Sequence, residues 1–203
     1  MNYENFVSSK RLSTKYFGFE VEIDKVSPVL FDFQKQIVQW ALKLGRAAIF
    51  ADTGLGKTGM QLTWASHIAN KTGGNVLILA PLCVAHQTVN EGKKFDVEVN
   101  YCRSQDQVKS GVNITNYEML KNFDVSTFSG IVLDESSILK SYMGKTKREI
   151  IEACQSVEYR LACTATPSPN DYLELGNHAE FLGIMPSNEM IMRFFQNDTM
   201  EAG

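Results

Sequence analysis

Cysteine and histidine are too few and too scattered in this chain to form a framework. Four cysteines (Cys83, Cys102, Cys154, Cys163) and three histidines (His67, His86, His178) are spread over 203 residues, with no C-x-x-C pair and no Cys/His ligand spacing. Their scatter excludes a disulfide scaffold and a zinc module, and it predicts reduced, mostly buried thiols in a cytoplasmic protein. The histidines read as surface or internally satisfied side chains. Long apolar runs are missing as well. None approaches the roughly 18 residues of a membrane span, and the first residues lack the apolar core of a signal peptide, so neither secretion nor a membrane partner is expected. Nor is there a surplus of positive charge. The formal net charge is −3, so any affinity for nucleic acid would have to come from local patches. Internal repeats and low-complexity segments are also lacking.

What remains is the composition of a globular domain, 44% hydrophobic and 21% charged, long enough to bury one sizeable core. The most informative stretch is Ala51-Asp-Thr-Gly-Leu-Gly-Lys-Thr58. A short apolar run, Arg46–Ala51, precedes it. A segment of helical spacing follows, Lys57–Asn70, with Met60, Trp64 and Ile68 on one face and Ala65 beside them. Strand, glycine loop and helix are the context of a phosphate-binding loop. A triphosphate is held by inward-pointing backbone N–H groups, by the helix N-terminal dipole and by one ammonium. Asp52, Thr53, Gly54, Leu55 and Gly56 would supply the loop, Lys57 the ammonium, and the Thr58 hydroxyl a ligand for Mg²⁺. The same residues spell G-x-G-x-x-G through Gly54, Gly56 and Gly59. A dinucleotide site, however, wants an acid about 20 positions on, and here the next apolar run ends Leu79-Ala-Pro81.

Upstream, Phe17–Ile23 alternates like an edge strand, and Leu30-Phe-Asp-Phe-Gln34 leads into a helix closed by Gly45. Gln34, at the head of the helix that feeds the loop strand, is a candidate adenine reader, since a glutamine amide can pair with the N6 and N7 edge. Downstream, Asn75–Ala80 and Gly130–Glu135 are continuous apolar runs, expected of strands covered on both faces. A helix from Pro81 to about Lys94, short strands at Val97–Tyr101 and Val112–Tyr117, and a last strand at Tyr159–Ala165 complete an α/β alternation with a mostly parallel sheet. Helical segments follow, one from about Asn170 to Leu182 and one around Met190–Phe195. At the end of the fifth run stand Asp134 and Glu135. Two acids there are costly unless they face a cation or a reacting water. In a nucleoside triphosphatase the first would hold Mg²⁺ and the second would polarise the attacking water.

Taken in order, these motifs resemble the first RecA-like domain of a superfamily 2 DNA helicase or translocase, of the Swi/Snf-like group and the helicase proteins of phages and prophages. The residues are LFDFQ (30–34), ADTGLGKT (51–58), LILAPLCVAHQ (77–87), ITNYEML (114–120), LDESSILK (133–140) and LACTATPSPNDYLEL (161–175). The likeness covers about residues 28–185, between a lead-in over 1–27 and the start of a linker or C-terminal region over 186–203. It implies a RecA-like three-layer sandwich and an ATP- and Mg²⁺-dependent motor. Gln34, Lys57, Thr58, Asp134 and Glu135 would take the nucleotide roles, and Thr164 and Thr166 the coupling role. Ser137 departs from the His or Asp of many relatives, which puts the usual link between those two motifs in question. Pro81, His86, Gln87, Asn116 and Tyr117 would follow a DNA backbone without reading bases, helped by the cations Lys140, Lys145, Lys147 and Arg148.

The resemblance also implies a second RecA-like domain, with an arginine reaching the γ-phosphate, beyond these 203 residues. Two functions stay open from sequence. One is the motor half of a DNA helicase or double-stranded DNA translocase. The other is a nucleotide- and DNA-binding module without turnover, an adaptor to a DNA-modification or restriction enzyme.

Overall fold

In the computed structural model, residues 15–141, 145–168 and 172–195 are described. The sheet has six strands, all parallel: β1 (Arg46–Phe50), β2 (Val76–Ala80), β3 (Val99–Tyr101), β4 (Val112–Asn116), β5 (Gly130–Asp134) and β6 (Tyr159–Thr164). Their spatial order is β1-β6-β5-β2-β4-β3. Parallel strands need crossovers, and these are supplied mainly by helices. They are α1 (Asp32–Leu44), α2 (Lys57–Thr72), α3 (Leu82–Gly92), α4 (Ile138–Ser141), α5 (Lys145–Cys154), α6 (Leu175–Phe181) and α7 (Ser187–Phe194).

Strand side chains alternate between faces, and the core divides accordingly. On one face Ile49, Ile78, Ile114, Val132 and Leu161 pack against Val38, Leu42, Met60, Trp64 and Ile68 of α1 and α2. On the other, Leu77, Leu79, Ile131, Leu133 and Ala162 meet Leu139, Ile150, Cys154 and Phe181 of the later helices. Every residue of β2, β4 and β5 is buried; β2 and β5 accordingly read as continuous apolar runs, whereas β4, Val112-Asn-Ile-Thr-Asn116, alternates in sequence although both of its faces are covered. Helix α2 is buried nearly all round, from Gly59 to Ala65. Its wide apolar surface follows from lying between the sheet and α1.

The segment Phe17–Ile23 is not a strand. Its amides at Phe17 and Phe19 donate to the carbonyls of Leu44 and Leu42 at the end of α1, both at 3.0 Å. The alternation in sequence reflects a strap with one side packed, not a sheet edge. Gln39 Nε2 bonds the Val21 carbonyl at 2.8 Å, Lys43 pairs with Glu20 at 2.7 Å, and Arg46 lies over the Phe17 ring at 4.1 Å. A Cβ at Gly18 would strike the Leu42 carbonyl, so glycine permits the close backbone approach. Three cysteines are buried and Cys83 is exposed, all as free thiols.

Candidate active site

The strand order brings the carboxyl ends of β1, β6 and β5 side by side. Phe50 is in register with Thr164, and Asp134 with Cys163. Two further bonds extend these edges, from Ala51 N to the Thr164 carbonyl (3.2 Å) and from Ser136 N to the Cys163 carbonyl (2.8 Å). The glycine loop, the acid pair and Thr164 therefore share one rim, where ligands of open α/β sheets bind.

Residues 51–56 form the loop. Gly54 and Gly56 have φ of +84° and +77°, a left-handed backbone that other residues adopt at a cost. A Cβ at Gly56 would also collide with Gln34 Nε2. Asp52 Oδ1 accepts from Thr53 N at 2.7 Å, fixing the first turn, while Thr53 and Leu55 face solvent. Lys57 Nζ rests on the loop's own carbonyls, Ala51 O at 2.9 Å and Asp52 O at 3.2 Å. A phosphate would exchange those neutral acceptors for charged ones.

Gln34 does not present a free amide edge. It is buried, its Oε1 accepts from Phe31 N at 2.9 Å, and its Nε2 donates to Leu55 O at 2.9 Å. As placed, its amide braces the head of α1 against the loop, because burial forces an amide to find partners on the backbone. Gln34→Ala should accordingly weaken ATP and GTP by a similar factor, about 5- to 10-fold for one lost brace, as read by calorimetry. A loss confined to ATP would assign the base-reading role instead.

Asp134 ends β5, 7% exposed. Burial raises its pKa; the Gln61 amide opposes that rise, Glu135 adds to it, and Lys57 also opposes it. A buried carboxylate beside an ammonium and at the head of α2 is a hard-oxygen ligand that suits Mg²⁺, and the Thr58 hydroxyl lies on the same helix turn as Lys57. The residues present thus fit a magnesium-bound triphosphate. Gln61 was not foreseen from sequence. It is fully buried one turn beyond Lys57, its amide near enough to Asp134 to hold that carboxyl down yet making no hydrogen bond of full geometry at either end. A long amide among Met60, Leu62 and Trp64 was the signal in sequence, one it shares with the buried Thr63.

Glu135 leaves the strand. Its φ is +56°, and its Oε1 accepts from Thr164 Oγ1 at 2.7 Å and from Ser137 Oγ at 3.0 Å. Thr166 N in turn donates to Thr164 Oγ1 at 3.0 Å. The link between the two motifs is therefore intact, with the carboxylate itself as its centre and Ser137 as a second donor.

The nucleic-acid set fares differently. Asn116 is buried and its Oδ1 caps the next turn through Met119 N at 3.1 Å. Tyr117 is buried as well, its hydroxyl donating to the Asp134 carbonyl at 2.7 Å. Both are turned inward rather than toward a strand of nucleic acid: Asn116 caps the turn that follows β4, and Tyr117 braces the end of β5 at Asp134. Pro81 caps α3, and Gln87 bonds Glu91 at 3.0 Å on the exposed side. Ring centroids of His86 and Tyr101 are 4.6 Å apart. Lys147 donates to Asn177 Oδ1 at 2.8 Å, and Arg148 is exposed. The side chains of Lys140 and Lys145 lie outside the described residues, as do residues 169–171.

A family profile for the SNF2-related domain matches residues 33–201. The chain belongs to the SNF2-related family. Among proteins, it is 29% identical over 175 residues to "Putative protein p41" of Acyrthosiphon pisum secondary endosymbiont phage 1, an alignment covering 74% of this chain and 38% of that one. Among solved structures, the Sulfolobus solfataricus SWI2/SNF2 ATPase core in complex with dsDNA superposes with a TM-score of 0.64 at 19% identity, over 89% of this chain and 41% of that one. The UvsW helicase of bacteriophage T4 gives 0.62 at 15% identity, over 92% and 66%. The SNF2-related chain thus spans less than two thirds of the length of each. At these identities the structural likeness establishes the RecA-like fold. Among the described residues no helix is long and apolar enough to cross a membrane, and no group of three or more His, Cys, Asp or Glu could hold a metal.

Proposed function

We propose that this SNF2-related domain binds and hydrolyses Mg·ATP as the first half of an ATP-dependent DNA translocase or helicase. The observation that carries the reading is the Glu135 carboxylate, held by Thr164 and Ser137 at the rim where the glycine loop and Asp134 also end. A carboxylate fixed by two hydroxyls is oriented to accept a proton from, or align, a water in line with the γ-phosphate. Lys57, released from Ala51 O and Asp52 O, neutralises phosphate charge, and loop amides do the same from the backbone. Thr58 and Asp134 would hold magnesium, which would supply further neutralisation of the phosphate oxygens. Thr164 ties hydrolysis to β6 and to the segment that follows it, the route by which chemistry can move the chain.

The site as formed by these residues presents one wall of a cleft. The other wall would come from a second RecA-like domain carrying a trans arginine, worth roughly 10³–10⁵ in turnover in related hydrolases. DNA is the proposed track, contacted along its phosphates near α3 and α5 without base reading. The Sulfolobus SWI2/SNF2 ATPase core was solved in complex with double-stranded DNA, which supports that choice.

The test compares residues 1–203 alone with a polypeptide that joins them to the proposed second RecA-like domain, termed the full-length protein. The isolated chain should bind Mg·ADP weakly and turn over almost no ATP, whereas the full protein should hydrolyse ATP with DNA stimulation of at least about 10-fold. Brisk DNA-stimulated turnover by residues 1–203 alone would place a complete site in this domain. Absence of stimulation in the full protein, with ATP still bound, would favour a nucleotide-dependent adaptor to a DNA-modification enzyme.

A further inference from the structure

His178 is a buried group near the site that the chemistry above does not use. It is 4% exposed on α6, and its Nε2 lies 3.0 Å from Ser136 Oγ, which is fully buried. Ser136 directly follows Glu135. A non-glycine residue at φ +56° is strained and persists only where neighbours hold it. Two bonds do so on the far side of the turn, Ser136 N to the Cys163 carbonyl and the Ser136–His178 pair. The Phe50 ring meets the imidazole edge-on, centroids 5.2 Å apart at 84°, so His178 is wedged between the end of β1 and the acid turn.

The helix behind it is anchored. Asn177 receives Lys147 at 2.8 Å and reaches the Leu139 carbonyl at 3.5 Å. Arg160 holds the Phe181 carbonyl at 2.8 Å, and Gln155 the Glu180 carbonyl at 3.1 Å. Burial lowers the His178 pKa, against the opposing backbone and charge of Glu174, so the ring is neutral at neutral pH. A neutral imidazole fixed from behind and bonded in front is suited to setting the position of another group.

We propose that His178 is a positioning residue for the catalytic carboxylate: through Ser136 it fixes the left-handed turn that aims Glu135. The proposal rests on the reading of Glu135 as the group that orients the attacking water. It assigns α6 a part in catalysis although His178 touches neither nucleotide nor metal ligand.

The experiment uses the full-length protein and four variants, Ser136→Ala, His178→Ala, His178→Gln and Glu135→Gln, with steady-state hydrolysis and calorimetric Mg·ATP affinity. Loss of the bond should lower kcat by about 10-fold or more in Ser136→Ala and His178→Ala, as expected for a displaced catalytic group, with the dissociation constant within about two-fold. His178→Gln, whose amide can reach the serine hydroxyl, should recover most of that loss. Combining Ser136→Ala with His178→Ala should cost no more than either alone. Ser136→Ala removes one hydroxyl and leaves the imidazole against Phe50, so it decides the matter if His178→Ala fails to fold. Unchanged kcat in Ser136→Ala, a parallel loss of affinity and kcat, or no recovery in His178→Gln would overturn the proposal. If Glu135→Gln hydrolyses at the parental rate, the reading of Glu135 falls and takes the positioning role with it. With Glu135→Gln inactive and Ser136→Ala at the parental rate, only the role of His178 is lost.

Discussion

Lys57→Ala is expected to weaken Mg·ATP by at least about 100-fold while leaving the fold unchanged, the loss of two or more charge-assisted hydrogen bonds of roughly 1.5–3 kcal/mol each. The structural cost is small because Nζ bonds only the loop carbonyls of Ala51 and Asp52. Both are near solvent, where water can replace the ammonium. Helix α2 begins at Lys57 and accepts alanine readily. Calorimetric titration with Mg·ATP, alongside circular dichroism and thermal melting, measures both halves of the expectation. Nucleotide affinity within a few-fold of the parent, with an unchanged melt, would remove Lys57 from the site.

Glu135→Gln separates binding from chemistry. Glutamine keeps an oxygen that can accept from Thr164 Oγ1 and Ser137 Oγ, so the turn and its contact to β6 should survive. The lost charge is what polarises water, and positioned bases typically contribute 10²–10⁴-fold. In the full-length protein kcat should fall by at least about 100-fold, with Mg·ATP affinity within about two-fold of the parent. Retention of more than about a tenth of the parental rate would show that another group orients the water. The two substitutions therefore fail in different measurements, the first in affinity and the second in turnover.

The contrast between these residues and the nucleic-acid set shows where sequence reading held. The glycine loop was legible because its chemistry is local. Strand, positive-φ glycines, lysine and helix are contiguous, and the backbone N–H groups proposed to hold phosphate belong to the same stretch. Asp134 was legible for a related reason, since an acid that closes the apolar run Gly130–Leu133 has few explanations. Asn116 and Tyr117 carried no such signal. Polar residues at the end of a strand read equally well as outward contacts or inward caps; a local cap on Met119 N holds Asn116, and the bond across to the Asp134 carbonyl of β5 turns Tyr117 in.

Sequence by itself determined the α/β alternation, the continuous apolar strands and the places of the glycine loop and the acid pair at strand ends, because each depends on neighbours within a few residues. It did not determine which strands lie beside which. The order β1-β6-β5, set by crossover packing over the whole chain, is what brings Thr164 to Glu135 across the sheet. The same long-range packing spends the Gln34 amide on the loop, turns the Phe17–Ile23 alternation into a strap on α1, and carries His178 from α6 to Ser136. Contacts between residues far apart in the chain leave no periodic trace in sequence, since either partner alone looks like an ordinary buried or solvent-facing side chain. Tertiary structure alone decided them.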